Sequence, residues 1–207
     1  MSILVFTDGS CINNGQKNAK AGYGVYFPNK ELNDISEPFT ILKITNQRAE
    51  LFAIYKALKE ITDKLQFNQI TVYTDSLYSI KCVTLWIKSW EKNNWKTKNG
   101  KPVLNLDIIK SISEILKKYN SKQITFKHVR SHTNLTNYES ICNDMADKLA
   151  CAGTNRNNNN NNNVDNSNNV DKSNINSVED IEDITPTISN KCIQNKPIRK
   201  RIFVKTS

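Results

Sequence analysis

The sequence predicts an α/β fold in which helices flank a mixed β-sheet. Short runs rich in β-forming residues alternate with longer segments whose apolar residues recur at helical spacing. Three strand-like runs come first and are joined by short polar loops, which favours an antiparallel arrangement. A helix, a strand, further helices, a strand and a final helix follow, and this order predicts a mixed sheet covered by helices.

Each element has its own local signal. The first strand is an apolar run that stops at Asp8, and the second stops at Pro28. The first helix has Thr45 or Asn46 as its N-cap, and the second is expected to place Leu85 on its apolar side. The predicted strands cover residues 3–6, 21–27, 39–44, 70–74 and 122–129, and the predicted helices cover 46–62, 76–90, 103–119 and 138–150.

The composition divides the chain of 207 residues into one folded domain and a tail. Residues 1–153 form the predicted catalytic domain. Residues 154–190 are rich in asparagine and include an unbroken run at 157–163, so they are expected to be a disordered linker. Residues 191–207 form a basic C-terminal tail, which either adds nucleic-acid affinity, acts as a nuclear address or is simply solvated.

Charge and cysteine usage restrict the classes of function and compartment. A formal net charge of +9 favours an anionic partner, and nucleic acid is the commonest one. The five cysteines contain no C-x-x-C pair, so we expect reduced thiols in an intracellular protein, cytoplasmic or nuclear and not secreted. The sequence contains no signal peptide pattern and no apolar run long enough for a membrane span. A monomer is the default expectation.

Two carboxylates follow two strands that share one layout. Asp8 and Asp75 each end a strand in a Thr-Asp sequence followed closely by serine. The strands are therefore predicted to be neighbours whose ends bring the two aspartates together. Two carboxylates at one edge of a buried sheet repel each other, so we expect a cation between them.

Glu50 is a third acidic candidate. It lies on or beside the face of the first helix that presses on the sheet, where a charged glutamate is costly unless it is paired or bound to a metal. The alternative is a glutamate near the start of a helix, favoured by the helix dipole. The segment 86–101 interleaves three tryptophans with five lysines, which suits a nucleic-acid backbone unless the rings only pack.

Five motifs in order resemble the type 1 ribonuclease H family, which cuts the RNA strand of RNA–DNA hybrids. The resemblance covers about the first 150 residues. It rests on Thr-Asp-Gly-Ser at 7–10, Thr-Asn-Gln-Arg-Ala-Glu-Leu at 45–51, Thr-Asp-Ser at 74–76, the segment 86–105 with Gly-Lys-Pro-Val, and Ala-Asp-Lys-Leu-Ala at 146–150. No single motif is specific, but five in family order make coincidence improbable.

The resemblance implies a ribonuclease H-like fold with a five-stranded mixed sheet. It implies that Asp8, Glu50, Asp75 and Asp147 hold two divalent ions, normally Mg²⁺ with Mn²⁺ as an alternative, about 3.5 to 4 Å apart. His132 resembles the family's loop histidine, which assists proton transfer or product release. The implied reaction is metal-dependent hydrolysis of the RNA strand, leaving 5′-phosphate and 3′-hydroxyl ends.

The resemblance also implies the contacts with substrate. Asn14 and Gln47 would read the RNA strand in the minor groove, where a 2′-hydroxyl distinguishes RNA from DNA. The remaining predicted contacts are with the DNA strand. The DNA-strand channel would comprise Asn46, Trp86 and Trp90, and a DNA phosphate would be gripped by Lys43, Thr45 and Asn105. Lys43 stands where related eukaryotic enzymes commonly have arginine, so bidentate phosphate contact is lost.

The chain departs from the family pattern between His132 and the last motif, where it is longer and lacks the usual glycines. Asp144 and Asp147 therefore compete for the fourth ligand position, and the match of 146–150 to the family's final helix favours Asp147. Two other functions remain possible: a DNA nuclease or integrase on the same fold, and a non-catalytic RNA-binding or hybrid-binding module.

Overall fold

The structure is a computed structural model that describes residues 1–130 and 137–159, with side chains to residue 156. Predictions for His132 and for residues 160–207 lie outside the described residues. The strands are β1 Ser2–Ile12, β2 Lys20–Tyr26, β3 Ile35–Phe39, β4 Gln69–Thr74 and β5 Ile124–His128. The helices are α1 Asn46–Lys64, α2 Leu77–Lys81, α3 Ile87–Lys92, α4 Leu106–Leu116 and α5 Tyr138–Asn159, and a π-helical segment, Cys82–Trp86, joins α2 to α3.

The five strands form one mixed sheet in the order β3-β2-β1-β4-β5. The pairs β1–β2 and β2–β3 are antiparallel, and β1–β4 and β4–β5 are parallel. The predicted fold class is therefore confirmed: an antiparallel meander comes first, and two further strands join it in parallel.

The predicted position of the third strand is wrong. It was expected at 39–44, but β3 is Ile35–Phe39, and Leu42 beyond it is 87% exposed. Because β3 is an edge strand that pairs only with β2, it tolerates Pro38 and the polar residues that hide its pattern. The apolar run that favoured 39–44 belongs mainly to the connection towards α1.

A π-helical segment interrupts the second predicted helix at Cys82–Trp86. Leu85 is 65% exposed, so the expectation that it faces the core is wrong. It lies two residues, or about 200° of rotation, beyond the buried Val83, so a regular helical period already places it on the other side. The hydroxyl of Thr84 donates to the Ile80 carbonyl oxygen at 2.7 Å, which competes with the regular helical bonds at this point.

Helices cover both faces of the sheet. On one face, α1 packs so closely on β1 that a Cβ at Gly9 would lie 2.6 Å from the Ala49 carbonyl carbon. On the other face, α5 packs on β2, and a Cβ at Gly24 would lie 2.6 Å from the Ala150 nitrogen. Glycine at these two positions lets each helix approach the sheet, so the sheet is the middle of three layers.

Helix α5 continues past the domain boundary predicted at residue 153. Thr154 is fully buried, and its hydroxyl donates to the Ser10 carbonyl oxygen at 3.2 Å. A Cβ at Gly153 would lie 2.8 Å from the Glu37 carbonyl carbon, so this turn of α5 also contacts β3. The assignment of 1–153 as a functional domain stays a prediction, but the ordered helix extends to Asn159.

Candidate metal centre and nucleic-acid interface

Three predicted carboxylates meet beside β1, the central strand of the sheet, where β4 ends. One oxygen from each of Asp8, Glu50 and Asp75 lies within 4.8 Å of the other two. Asp8 and Glu50 are buried, and Asp75 is half-buried. The three residues come from β1, α1 and the end of β4, so only the tertiary structure brings them together.

Strand pairing places the two aspartates. β1 and β4 are parallel neighbours with Phe6 opposite Tyr73, and these rings stack with centroids 4.5 Å apart on the face covered by α5. Asp8 is two residues beyond Phe6 in β1, so alternation directs it to that same face, whereas Asp75 follows the last residue of β4. The expectation that the two strands are neighbours is confirmed. The expectation that Asp8 ends its strand is wrong, because β1 continues to Ile12 through its pairing with β2.

Glu50 reaches the aspartates from α1, on the face of the sheet opposite α5, and Gly9 makes this possible. A Cβ at Gly9 would lie 2.9 Å from the Glu50 Cα, which is closer than real side-chain contacts allow. The missing side chain therefore lets the first turns of α1 lie directly on β1 beside Asp8. The hydroxyl of Thr45 caps α1 by accepting from the Arg48 amide at 3.3 Å, which fixes where the helix begins.

The donor set fits a hard divalent cation. Carboxylate oxygens are the ligands that Mg²⁺ prefers, and it commonly takes few of them from the protein. Three carboxylates at this separation repel one another in a buried setting, and a cation relieves that repulsion. The described residues thus contain an acidic triad able to hold a metal ion, with no nitrogen or sulfur ligand in it.

Asp147 does not belong to this triad. It is half-buried on α5, and its neighbour Ala146 packs against Phe6 and Tyr73. A Cβ at Gly24, which pairs with Asp8, would lie 2.9 Å from the Leu149 Cβ, so this part of α5 runs along the strand beside Asp8. Asp144 is exposed. Asp147 as fourth ligand therefore stays a prediction, as does the role of His132 outside the described residues.

A hydrogen-bonded chain joins three predicted site residues. The side-chain amide of Asn46 donates to Oε1 of Glu50 at 3.0 Å. The backbone N–H of Asn46 donates to Oδ1 of Asn14 at 3.2 Å. The thiol of Cys11 also contacts Oδ1 of Asn14, with a sulfur–oxygen distance of 3.9 Å. The predicted reader of the RNA strand is thus linked to the carboxylate triad through Asn46.

The predicted phosphate grip lies on two connections that enter α1 and α4. Lys43 and Gln47 are exposed, and Thr45 is half-buried as the cap of α1. Lys43 has φ 65° and Asn105 has φ 59°, a left-handed conformation that is uncommon for residues with a side chain. The amide of Asn105 donates to the Tyr78 hydroxyl at 2.9 Å. Residues in such sparsely populated backbone conformations cluster at functional sites.

The predicted DNA channel has an aromatic surface. The rings of Trp86 and Trp90 lie 5.6 Å apart, and Tyr78 lies 6.2 Å from Trp86. Trp86 is 38% exposed, whereas Trp90 packs partly on the core. Trp95 also packs on the core, and Lys110 lies over its ring at 5.5 Å. Of the three tryptophans, Trp86 therefore exposes the most substantial ring surface to solvent.

Sequence reasoning missed two groups that support these contacts. The first is Tyr78, whose hydroxyl accepts a hydrogen bond from the Asn105 amide. Because Tyr78 lies about one helical turn after Asp75, its spacing from a predicted ligand was a signal that it lies near the site. The second group is an ion pair in which Arg48, 5% exposed, donates to both oxygens of Asp107 at 2.8 and 2.5 Å. The Arg48 guanidinium holds the pKa of the Asp107 carboxyl below its ordinary value. No local pattern pairs residues 59 positions apart.

The fold and the triad define a class: α/β proteins with a cluster of carboxylates, able to hold a metal ion, beside the central strand of a mixed sheet. The model of the RNase H family matches residues 1–155. A probable ribonuclease H of Acanthamoeba polyphaga mimivirus is 39% identical over 145 residues, covering 69% of this chain and 62% of the relative. Ribonuclease H of Schizosaccharomyces pombe is 40% identical over 150 residues, covering 72% and 52%.

A solved structure agrees with these sequence matches. The solution structure of the PFV RNase H domain, from prototype foamy virus, superposes with a TM-score of 0.62 at 29% identity and covers 73% of this chain and 93% of that one. The chain therefore belongs to the RNase H family. It spans between half and two thirds of the length of the two curated relatives. Among the described residues, no helix combines the length and the apolar character that crossing a membrane requires.

Proposed function

We propose that this protein is an endoribonuclease that hydrolyses the RNA strand of RNA–DNA hybrids. The observation that carries the proposal is the meeting of Asp8, Glu50 and Asp75, with oxygens within 4.8 Å of one another. Membership of the RNase H family gives this triad its context. A net charge of +9 favours binding of a nucleic acid.

The triad, with Asp147 as a fourth ligand, would hold two Mg²⁺ ions, and Mn²⁺ is the alternative. When bound, such ions would lower the pKa of a water and offset the charge that develops on the phosphate. Attack of water on phosphorus, with cleavage of the bond to the 3′-oxygen and protonation of that oxygen, would leave 5′-phosphate and 3′-hydroxyl ends. The carboxylates would fix where the scissile phosphate lies relative to β1. His132 would assist proton transfer or product release.

The substrate contacts divide between the two strands. Asn14 and Gln47 would hydrogen-bond in the minor groove of the RNA strand, where the 2′-hydroxyl identifies RNA. The exposed ring of Trp86 would pack on the DNA strand. The other DNA-strand contacts are Lys43, Thr45, Asn46, Trp90 and Asn105. A monomer is sufficient for this set, because all the proposed contacts come from one chain.

An intracellular location, cytoplasmic or nuclear, agrees with the cysteine chemistry. Among the described residues, all four cysteines are free thiols. Disulfide-free cysteines are typical of reducing compartments. The substrate, an RNA–DNA hybrid, is also an intracellular species. Fractionation of cells carrying the tagged full chain would test this location directly.

A cleavage assay with three labelled duplexes tests the activity. The full chain is incubated with an RNA–DNA hybrid, double-stranded RNA and double-stranded DNA, each with Mg²⁺ and with a chelator. We expect cleavage only of the RNA strand of the hybrid and only with metal. Asp8→Asn is the matched control, because it removes one ligand charge while keeping the side-chain shape.

The alternatives predict other outcomes. Metal-dependent cleavage of double-stranded DNA would support a nuclease or integrase on the same fold. Hybrid binding without cleavage, equal in the wild type and in Asp8→Asn, would support a non-catalytic module. Either result would overturn the proposed activity, and analysis of the product ends would separately test the predicted 5′-phosphate.

A further inference from the structure

We infer that Asn46 is a positioning residue that sets the orientation of Glu50 for metal binding. This inference rests on the proposed metal-dependent function and assigns Asn46 a role beyond contact with DNA. Asn46 is the first residue of α1, and Glu50 lies one turn further along the same face. Its amide donates to Oε1 of Glu50 at 3.0 Å.

The position of Glu50 explains why an orienting contact matters. Glu50 is buried and comes from α1, which lies on the opposite face of the sheet from α5. A glutamate side chain has three rotatable torsions, so its carboxylate needs more fixing than that of an aspartate. A hydrogen bond to a ligating carboxylate orients it, and losing such a bond typically costs 10–100-fold in metal affinity or activity.

Asn46 is itself held at both of its polar ends. Its backbone N–H would be one of the unsatisfied donors of a helix N-terminus, but it donates to Oδ1 of Asn14 at 3.2 Å. This bond satisfies the backbone donor, whereas the direction of the Asn46 side chain is set by its place as the first residue of α1. The bond between Asn14 and the backbone of Asn46 does not involve the Asn46 side chain, so the two contacts can be removed separately.

This separation provides a matched pair of variants. Asn46→Ala removes the donor to Glu50 but keeps the backbone bond to Asn14. Asn14→Ala removes the bond to the Asn46 backbone but keeps the donor to Glu50. Both residues lie near the same predicted substrate contacts, so a general loss of packing would affect the two variants alike. Only a positioning role predicts different metal affinities for the free proteins.

The experiment measures Mn²⁺ binding to the full chain without nucleic acid, by electron paramagnetic resonance of the free ion. The proteins are the wild type, Asn46→Ala, Asn14→Ala and Asp8→Asn, with thermal unfolding as the control for folding. We expect Asn46→Ala to weaken binding about tenfold and Asn14→Ala to stay within about twofold. Cleavage by Asn46→Ala should need about tenfold more Mg²⁺ for half-maximal rate.

The outcomes separate this inference from the function on which it rests. If the wild type binds Mn²⁺ no better than Asp8→Asn, the carboxylates are not a metal site and the proposed function fails. If the wild type binds better than Asp8→Asn but Asn46→Ala equals the wild type, only the positioning role is refuted. Equal weakening in Asn46→Ala and Asn14→Ala would also refute it.

A double variant tests whether the effect passes through Glu50. In a Glu50→Gln background, the orienting bond no longer serves a charged ligand. Adding Asn46→Ala to Glu50→Gln should therefore weaken Mn²⁺ binding by less than twofold. A further tenfold loss, equal to the loss in the wild-type background, would show that Asn46 acts independently of Glu50 and would overturn the inference.

Discussion

Gly9→Ala tests whether the close packing of α1 on β1 positions the metal centre. The new Cβ would lie 2.6 Å from the Ala49 carbonyl carbon and 2.9 Å from the Glu50 Cα, whereas contacts below 3.4 Å are already tight. The helix must therefore move away from β1 by close to 1 Å. A misplacement of about 1 Å in a catalytic group can cost on the order of 100-fold in rate.

Gly22→Ala is the matched control for this substitution. Its Cβ would lie 2.6 Å from the Ala150 carbonyl oxygen, a comparable clash but against the C-terminal part of α5. Overpacking should destabilise both variants by about 1–3 kcal/mol, and thermal unfolding measures this. Only Gly9→Ala should also lose Mn²⁺ affinity and about 100-fold in hybrid cleavage. Equal cleavage by the two folded variants would refute the idea that backbone approach at Gly9 places Glu50.

Three further predictions concern other parts of the site. Asp147→Asn should abolish hybrid cleavage while Asp144→Asn keeps most of it, and the reverse result would exchange the two assignments. Asp107→Asn leaves the buried Arg48 without its bidentate partner and should lower the free energy of unfolding by about 2 kcal/mol. Because the pKa of Asp107 is lowered in the folded state, its contribution is complete above about pH 4 and is lost as the pH falls through the folded-state pKa. A difference between wild type and variant that does not shrink as the pH is lowered below this range would contradict the assignment. Trp86→Ala should raise KM for the hybrid about tenfold with a smaller effect on kcat, since stacking contributes about 1–3 kcal/mol per base, and an unchanged KM would remove Trp86 from the DNA contact.

Local patterns in the sequence were enough to locate the two aspartates and the helix that carries Glu50. Asp8 and Asp75 each follow a run of β-forming residues, although β1 itself continues past Asp8 to Ile12. The Thr45 cap fixes the start of α1 within one residue of the prediction. These signals are local because strand alternation, helical period and capping depend on residues fewer than about five positions apart.

Prediction from local sequence patterns failed where an element depends on its place in the sheet or on residues far away in the chain. β3 was misplaced because an edge strand tolerates polar residues and proline. Leu85 was assigned to the core because it is apolar, although it lies two residues beyond Val83 and therefore on the other side of a helix. The sequence also gave no sign that α5 would continue to Asn159, since the contact between Thr154 and Ser10 spans 144 residues.

By itself, the sequence determined the kind of fold, the family resemblance and the acidic residues available for a metal. Only the tertiary structure decided that oxygens of Asp8, Glu50 and Asp75 lie within 4.8 Å of one another and that Asn46 orients towards Glu50. The physical reason is that these distances depend on how closely α1 can approach the sheet. That approach is set by the absence of a side chain at Gly9, a contact between segments 40 residues apart that no local period encodes.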